Sequence, residues 1–210
     1  MSQTTASPAQ RSVTGTLYDV ADLLFFLAMV NLCMLAFTLA GGVILGVGPS
    51  LVAAVTLVRS RLRGDSLPIF ATFARTWRSE FLRANTVLAP LGIATVLIAL
   101  NLLWFSPRSH LLVTPLWVGL GLTVVLVALT ATMYAHYELP TNRYLITAAR
   151  FLTLHLAGGL LLLVATAIVV VAVRFIPGLL PVIAPSAWVY LVTALCLSFY
   201  AHNDKSLTQQ

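Results

Sequence analysis

Residues 20–63 read VADLLFFLAMVNLCMLAFTLAGGVILGVGPSLVAAVTLVRSRLR, and no charged residue lies between Leu23 and Val58. A helix rises about 1.5 Å per residue, so this run is too long for one crossing of a hydrocarbon layer about 30 Å thick. Glycines at 41–42 and the sequence Gly-Val-Gly-Pro at 46–49 interrupt it. The stretch therefore predicts two apolar helices that meet at a glycine-proline turn, the second ending in several arginines.

The composition of the whole chain agrees with this class. Of its 210 residues, 60% are hydrophobic and 9% are charged, and the mean hydropathy is +0.97. A soluble domain is about 45–50% apolar and about 25% charged. We therefore predict an all-α, polytopic helical membrane protein. The formal net charge of +6 comes from bases that flank apolar spans, which favours a topological role and anionic lipid over nucleic acid as a partner.

One helical membrane domain is predicted over 18–203, between a disordered N-terminal tail at 1–17 and a C-terminal tail at 204–210. Its spans are 20–45, 49–63, 86–105, 111–135, 144–175 and 187–202. The 49–63 segment is short, and it either crosses the membrane or enters and leaves it on the same side. Five or six transmembrane helices are therefore expected. With both termini cytoplasmic, all 12 Lys and Arg residues except Arg108 and Arg174 lie inside, as the positive-inside rule favours.

A different pattern follows at 68–85. Its aromatic residues are spaced by three, four and four, which places them on one helical face, while arginines occupy the rest. This predicts an amphipathic helix in the membrane interface; a helix that docks on a partner protein is the alternative. The predicted partner or lipid contacts are Phe70, Phe73, Arg75, Trp77, Arg78 and Phe81.

Few polar residues lie within the spans. Asn31 and Asn101 are expected to face other helices, because an amide that faces lipid costs several kcal/mol. The alternative is that these asparagines contact a ligand, together with the helix break at Gly48-Pro49. The carboxylates lie at span edges or in loops, and there is no glycine-rich phosphate loop. We therefore expect no enzyme activity, cofactor or metal site.

These features together resemble the YesL-like family of small bacterial integral membrane proteins, a domain of unknown function. The resemblance covers about residues 17–203 and is carried by Asn31, Gly48-Pro49-Ser50, Ala53, Ala54, the aromatic helix, Pro140, Tyr144 and Ile176-Pro177. It implies a bacterial plasma-membrane location. It also implies an association with carbohydrate uptake by ABC transporters and with polysaccharide breakdown, without any established catalytic residue.

The sequence thus favours a non-enzymatic accessory protein, either a partner of an ABC-type carbohydrate permease or an assembly factor. The alternative is a small transporter in its own right, with a site near the Gly48-Pro49 break. A lipid-dependent structural protein without a ligand is a third hypothesis. The expected partners are the lipid bilayer, a permease and further copies of the chain.

Overall fold

The computed structural model describes the backbone of residues 8–105, 110–137 and 140–208, and α-helix is the only regular secondary structure in these ranges. Within these described ranges, five helical segments are long and apolar enough to cross a membrane: Gly15–Ala40, Ile44–Leu62, Ile69–Phe105, Val113–His136 and Leu156–Phe175. The all-α, multi-pass membrane class is therefore confirmed. The helices are α1 (Pro8–Ala40), α2 (Ile44–Leu62), α3 (Ile69–Phe105), α4 (His110–His136), α5 (Tyr144–Leu154), α6 (Leu156–Phe175), α7 (Leu179–Val182) and α8 (Ala184–Thr208).

Helix α2 lies at the centre of the bundle. It packs against α1, α3, α4 and α8, and most of its residues from Gly46 to Val58 are buried. The small residues Ala53 and Ala54 are fully buried there, which permits the close approach of neighbouring helices. Many large apolar side chains elsewhere are exposed, as expected for a surface that faces lipid.

The turn between α1 and α2 differs from the expected break at Gly48-Pro49. The Val43 N–H donates to Thr38 O (2.9 Å) and the Gly42 N–H to Leu39 O (3.0 Å), the two hydrogen bonds of a Schellman motif. Gly42 has φ +72° and Val43 φ +64°. A positive φ at residue 42, the C′ position of the motif, favours glycine there. The chain therefore turns at 41–43, and α2 begins at Ile44 instead of at 49.

The N-terminal tail predicted over 1–17 is also different, because α1 already begins at Pro8; residues 1–7 lie outside the described residues. Proline suits the first turn of a helix, where its missing N–H has no partner to lose. No second proline follows before Ala40, and each residue added to an existing helix gains a hydrogen bond. Polar composition alone was therefore a poor guide to where this helix begins.

The predicted amphipathic helix 68–85 and the predicted span 86–105 form one continuous helix, α3. It has 37 residues and is about 55 Å long. The amphipathic segment is therefore not a separate element lying in the membrane interface. Pro90 is the only proline in α3 and does not end it, and the residues between Ile69 and Pro90 include no glycine.

The predicted span 144–175 is divided in two at His155, which has φ −123° and ψ 60°. The rings of Phe151 and His155 stack with centroids 4.5 Å apart. Gly159 lies so close to the Leu152 side chain that a Cβ would overlap it. The break therefore places the end of α5 against the beginning of α6. A single helix of this length would exceed a bilayer about 30 Å thick.

The last predicted span, 187–202, corresponds to α8, which begins at Ala184 and continues to Thr208. The expected C-terminal tail at 204–210 is thus helical up to Thr208, and residues 209–210 lie outside the described residues. Before α8 the short helix α7 ends at Val182, and the Ile183 N–H donates to Leu179 O (3.0 Å). The prolines in this region prevent one continuous helix.

Candidate functional site

The aromatic side of α3 packs against Phe37 of α1. The ring centroid of Phe37 in α1 lies 5.8 Å from that of Phe70, 5.2 Å from that of Phe73 and 5.4 Å from that of Trp77. The Trp77 and Phe81 rings meet edge-on at 4.9 Å. Phe73 is fully buried, whereas Phe70 is 63% exposed. Of the aromatic residues predicted to contact a partner or lipid, Phe70 alone is largely exposed. Phe73 is instead part of the hydrophobic core.

The basic side of the same helix faces outward. Arg75 and Arg78 are exposed, and neither makes an ion pair or a side-chain hydrogen bond with another described residue. They are three residues apart, so they lie on one helical face. Arg83, two turns further from Arg75, is different, because its guanidinium lies over the Tyr134 ring at 5.2 Å. Arg83 is also exposed, so the exposed arginines of α3 without a described side-chain contact are Arg75 and Arg78.

Pro49 lies inside α2, and a side chain from α3 replaces the hydrogen bond that it cannot make. A helical N–H at position 49 would donate to Leu45 O, but proline has no N–H. The Asn85 Nδ2 group donates to this carbonyl at 2.9 Å, and also to Phe81 O at 2.8 Å. A Cβ at Gly48 would lie 3.1 Å from Asn85 Oδ1. Gly48 therefore gives the amide access to the carbonyl, and Asn85, which sequence reasoning missed, is the residue that uses it.

Asn31 makes an equivalent contact with the broken segment before α8. Its Nδ2 group donates to Pro181 O at 2.6 Å, and this carbonyl lies four residues before Pro185, which cannot donate to it. Asn31 is fully buried, and its Oδ1 atom has no hydrogen-bond partner among the described residues. Asn31 thus faces another part of the bundle, as the sequence predicted.

Asn101 lies in a different environment from Asn31. It is exposed, and its Nδ2 group donates to Leu97 O of its own helix at 2.8 Å. No described contact joins it to Asn31. The structure therefore does not bring together the two asparagines that were considered for one ligand site.

A polar cluster between α3, α4 and α5 was not anticipated from the sequence. The Tyr134 hydroxyl donates to the Glu80 carboxylate, and the Tyr134 and Tyr144 rings lie 5.1 Å apart. Tyr144 is almost fully buried and donates its hydroxyl to Tyr137 O at 2.9 Å. Arg83 reaches the Tyr144 hydroxyl at 3.5 Å. Since these residues are far apart in sequence, no local spacing could have indicated the cluster.

Arg59 ties the end of α2 to the end of α4. Its Nη1 group donates to the carbonyl of Ala135, which lies in the last turn of α4. A cation at a helix C-terminus also interacts favourably with the helix dipole. This arginine was predicted only as a topological charge, and the structure gives it a packing role.

Comparison with known protein families gives one match, which covers part of the chain. Residues 27–102 match the family described as "Protein of unknown function, DUF624". The matched segment runs from α1 to near the end of α3. It therefore includes Gly48, Pro49 and Asn85, and also Asn31, whose partner Pro181 lies outside the segment.

Two curated relatives extend the similarity to most of the chain. The uncharacterized protein YesV of Bacillus subtilis (strain 168) is 29% identical over 195 residues, which are 90% of this chain and 91% of YesV. The uncharacterized protein YteU of the same organism is 24% identical over 199 residues, 91% of this chain and 90% of YteU. No solved structure gives a significant match. One segment of the chain thus matches the DUF624 family, and most of the chain is similar to these two proteins, in agreement with the resemblance of its sequence to the YesL-like family.

Proposed function

We propose that this chain is a non-enzymatic accessory protein of the bacterial plasma membrane that assists carbohydrate uptake, as a partner or assembly factor of an ABC-type permease. The observation that carries the proposal is the division of α3 into two sides. The aromatic side is held in the core by Phe37, while Arg75 and Arg78 remain exposed and unpaired among the described residues. A helix fixed on one side and basic on the other suits docking to an acidic surface.

The position of this surface in the cell follows from charge. With both termini in the cytoplasm, the exposed arginines of α3 lie on the cytoplasmic side, together with the arginines at the end of α2. Anionic lipid on that side also attracts such charges. The surface therefore suits a partner that is itself at the cytoplasmic membrane face. The link with carbohydrate uptake comes from the resemblance to the YesL-like family.

The test is cross-linked purification of the full chain from native membranes, followed by mass spectrometry of the proteins that come with it. We expect a carbohydrate permease with the unmodified chain and its loss with Arg75→Glu combined with Arg78→Glu. Arg143→Glu combined with Arg150→Glu is the matched control, since both arginines are exposed and lie outside α3. Retention of the permease by the α3 variant, or recovery of the chain alone, would overturn the proposal.

A second candidate is transport by the chain itself, and one observation favours it. The Oδ1 atom of Asn31 is buried without a hydrogen-bond partner among the described residues, next to the interrupted helix at Pro181. Unsatisfied polar atoms at a broken helix are a feature of transporter sites. The candidate site is therefore near Asn31 and Pro181; α2 has no break at Gly48-Pro49. Purified chain in vesicles should then take up labelled sugar, and Asn31→Ala should abolish uptake; vesicles without uptake would exclude this candidate.

A further inference from the structure

A cleft of about 420 Å³ lies where α1, the end of α2 and the following loop meet the first residue of α3. Its lining includes Asp22 and Phe26 from α1, Arg61 from α2, and Asp65 and Leu67 from the loop. The volume is within the range of about 300–1,000 Å³ that small-molecule sites occupy. The cleft therefore combines one cation, two carboxylates and apolar walls.

The Arg61 guanidinium is held in place from two sides. Its Nη2 group donates to Asp22 Oδ2 at 2.7 Å, and it lies 4.5 Å from the centroid of the Phe26 ring. A guanidinium has five N–H donors, and the ion pair with Asp22 is its one described hydrogen bond. Arg61 thus has donors left for an anionic oxygen in the cleft.

The Asp65 carboxylate has no described partner, but its backbone is fixed. The Gly64 N–H donates to Arg61 O at 2.9 Å and the Asp65 N–H to Ser60 O at 3.0 Å, which forms a second Schellman motif. Gly64 has φ +85°, the conformation that this motif requires. The turn therefore presents Asp65 at the edge of the cleft, where no described cation neutralises it.

The charges of the cleft sum to −1, because Asp22 and Arg61 compensate each other and Asp65 remains. A ligand that carries only negative charge is therefore disfavoured, whereas one with a cationic group is favoured. The cleft lies at the end of a candidate membrane span, Ile44–Leu62. The apolar side chains Leu57, Leu67 and Ile69 also line it. This places it where the head group of a lipid can reach it.

We propose that this cleft binds a phosphoethanolamine group, with the phosphate at Arg61 and the ammonium at Asp65. Arginine binds phosphate through several N–H groups at once. A primary ammonium offers three N–H donors to a carboxylate. The group is available from phosphatidylethanolamine in the membrane or from a free phosphoethanolamine ester. The proposal does not depend on the accessory function.

The test is calorimetric titration of the full chain in dodecylmaltoside with dihexanoyl phosphatidylethanolamine and with dihexanoyl phosphatidylcholine. The choline head group has no N–H donor, so it cannot make the charge-assisted hydrogen bonds to Asp65. We expect the ethanolamine lipid to bind at least about tenfold more tightly. Equal affinity for the two lipids, or no binding of either, would overturn the proposal.

Variants of single carboxylates locate the site. Asp65→Asn should weaken binding of the ethanolamine lipid about tenfold, and it changes an exposed loop residue that makes no described side-chain contact. Asp19→Asn is the control, because Asp19 is also exposed but does not line the cleft. An unchanged affinity of the Asp65→Asn protein would contradict the assignment.

A third titration separates the two sources of the group. Glycerophosphoethanolamine carries the same head group without acyl chains. If it binds as tightly as the lipid, the cleft recognises the free ester; if only the lipid binds, acyl chains that lie along the apolar walls contribute. Both results retain the head-group site, and the choline comparison decides whether the site exists.

Discussion

Asn85 of α3 donates a 2.9 Å hydrogen bond to the Leu45 carbonyl of α2, the oxygen that Pro49 leaves without its helical donor. Asn31 makes the same kind of contact with Pro181 O, four residues before Pro185. Within the hydrocarbon layer bulk water does not reach such carbonyls, and a side chain of a neighbouring helix can supply the missing donor. Each asparagine thereby joins two helices at a proline. These contacts explain how α2 continues through Pro49 and how the segment before α8 is held.

Asn85→Ala should therefore lower the free energy of unfolding. The substitution leaves the Leu45 carbonyl without a donor, at a cost of about 1–3 kcal/mol for an unsatisfied polar group. Side-chain hydrogen bonds between membrane helices contribute about 0.6 kcal/mol on average, which favours the lower end of this range. The measurement is reversible unfolding of the purified chain in mixtures of dodecyl sulfate and dodecylmaltoside.

Two controls make this prediction specific. In the Pro49→Ala variant the backbone N–H of residue 49 can donate to Leu45 O. Adding Asn85→Ala to this variant should therefore lower the free energy of unfolding much less than it does in the unmodified chain. Asn101→Ala should have little effect, because Asn101 is exposed and bonds only within its own helix. Equal costs of Asn85→Ala with and without Pro49 would show that the carbonyl does not need the amide.

Asn31→Leu should lower the local stability of the segment around α7. It removes the donor to Pro181 O while keeping a side chain of similar size at a fully buried position. The loss of about 1 kcal/mol from local stability corresponds to about fivefold faster amide exchange. Hydrogen exchange of peptides that cover 179–187 measures this, with Asn101→Leu as the control. Unchanged exchange in these peptides would count against a role for the amide.

The sequence predicted the helices better than it predicted their contacts. The apolar run at 20–63 is sufficient to indicate two membrane helices, and the spacing of Phe73 and Trp77 correctly placed them on one face. Which element that face meets depends on how α3 crosses α1, and local spacing contains no information on this. The glycines before Pro49, together with this proline, predict an interruption of the helix at 46–49. In the structure Asn85, which follows Leu45 by 40 residues and lies in another helix, satisfies the carbonyl that proline leaves without a donor.

Gly46→Ala should destabilise the hairpin of α1 and α2. A Cβ at this position would overlap the backbone of Thr38, which cannot move aside as a flexible side chain can. Overpacking of this kind costs about 1–3 kcal/mol and sometimes more. The same unfolding assay measures the loss. A stability equal to that of the unmodified chain would mean that the two helices do not approach so closely.

Gly92→Ala is the matched control and should have the opposite sign. Gly92 lies inside α3, and a Cβ there would meet nothing within 4 Å. Alanine is preferred over glycine in a helix interior by about 1 kcal/mol. The two substitutions add the same methyl group, so a difference in sign reports on the space around each residue.

The contact between Tyr134 and Glu80 should couple α4 to α3 energetically. Tyr134→Phe keeps the ring under Arg83 and removes only the hydroxyl that donates to the carboxylate. A hydrogen bond to a charged group contributes about 1.5–3 kcal/mol, so each of Tyr134→Phe and Glu80→Gln should destabilise the protein. A double-mutant cycle by unfolding in the same detergent mixture measures the interaction between them.

The cycle separates a direct contact from two independent losses. Residues without a shared contact give costs that add within about 0.3–0.5 kcal/mol, so the double variant should be clearly less destabilised than the sum of the single variants. Tyr18→Phe provides the control, because Tyr18 is 75% exposed and should not interact with Glu80→Gln. Additive costs for Tyr134 and Glu80 would mean that the hydroxyl and the carboxylate act separately, and that this hydrogen bond does not couple α3 to α4.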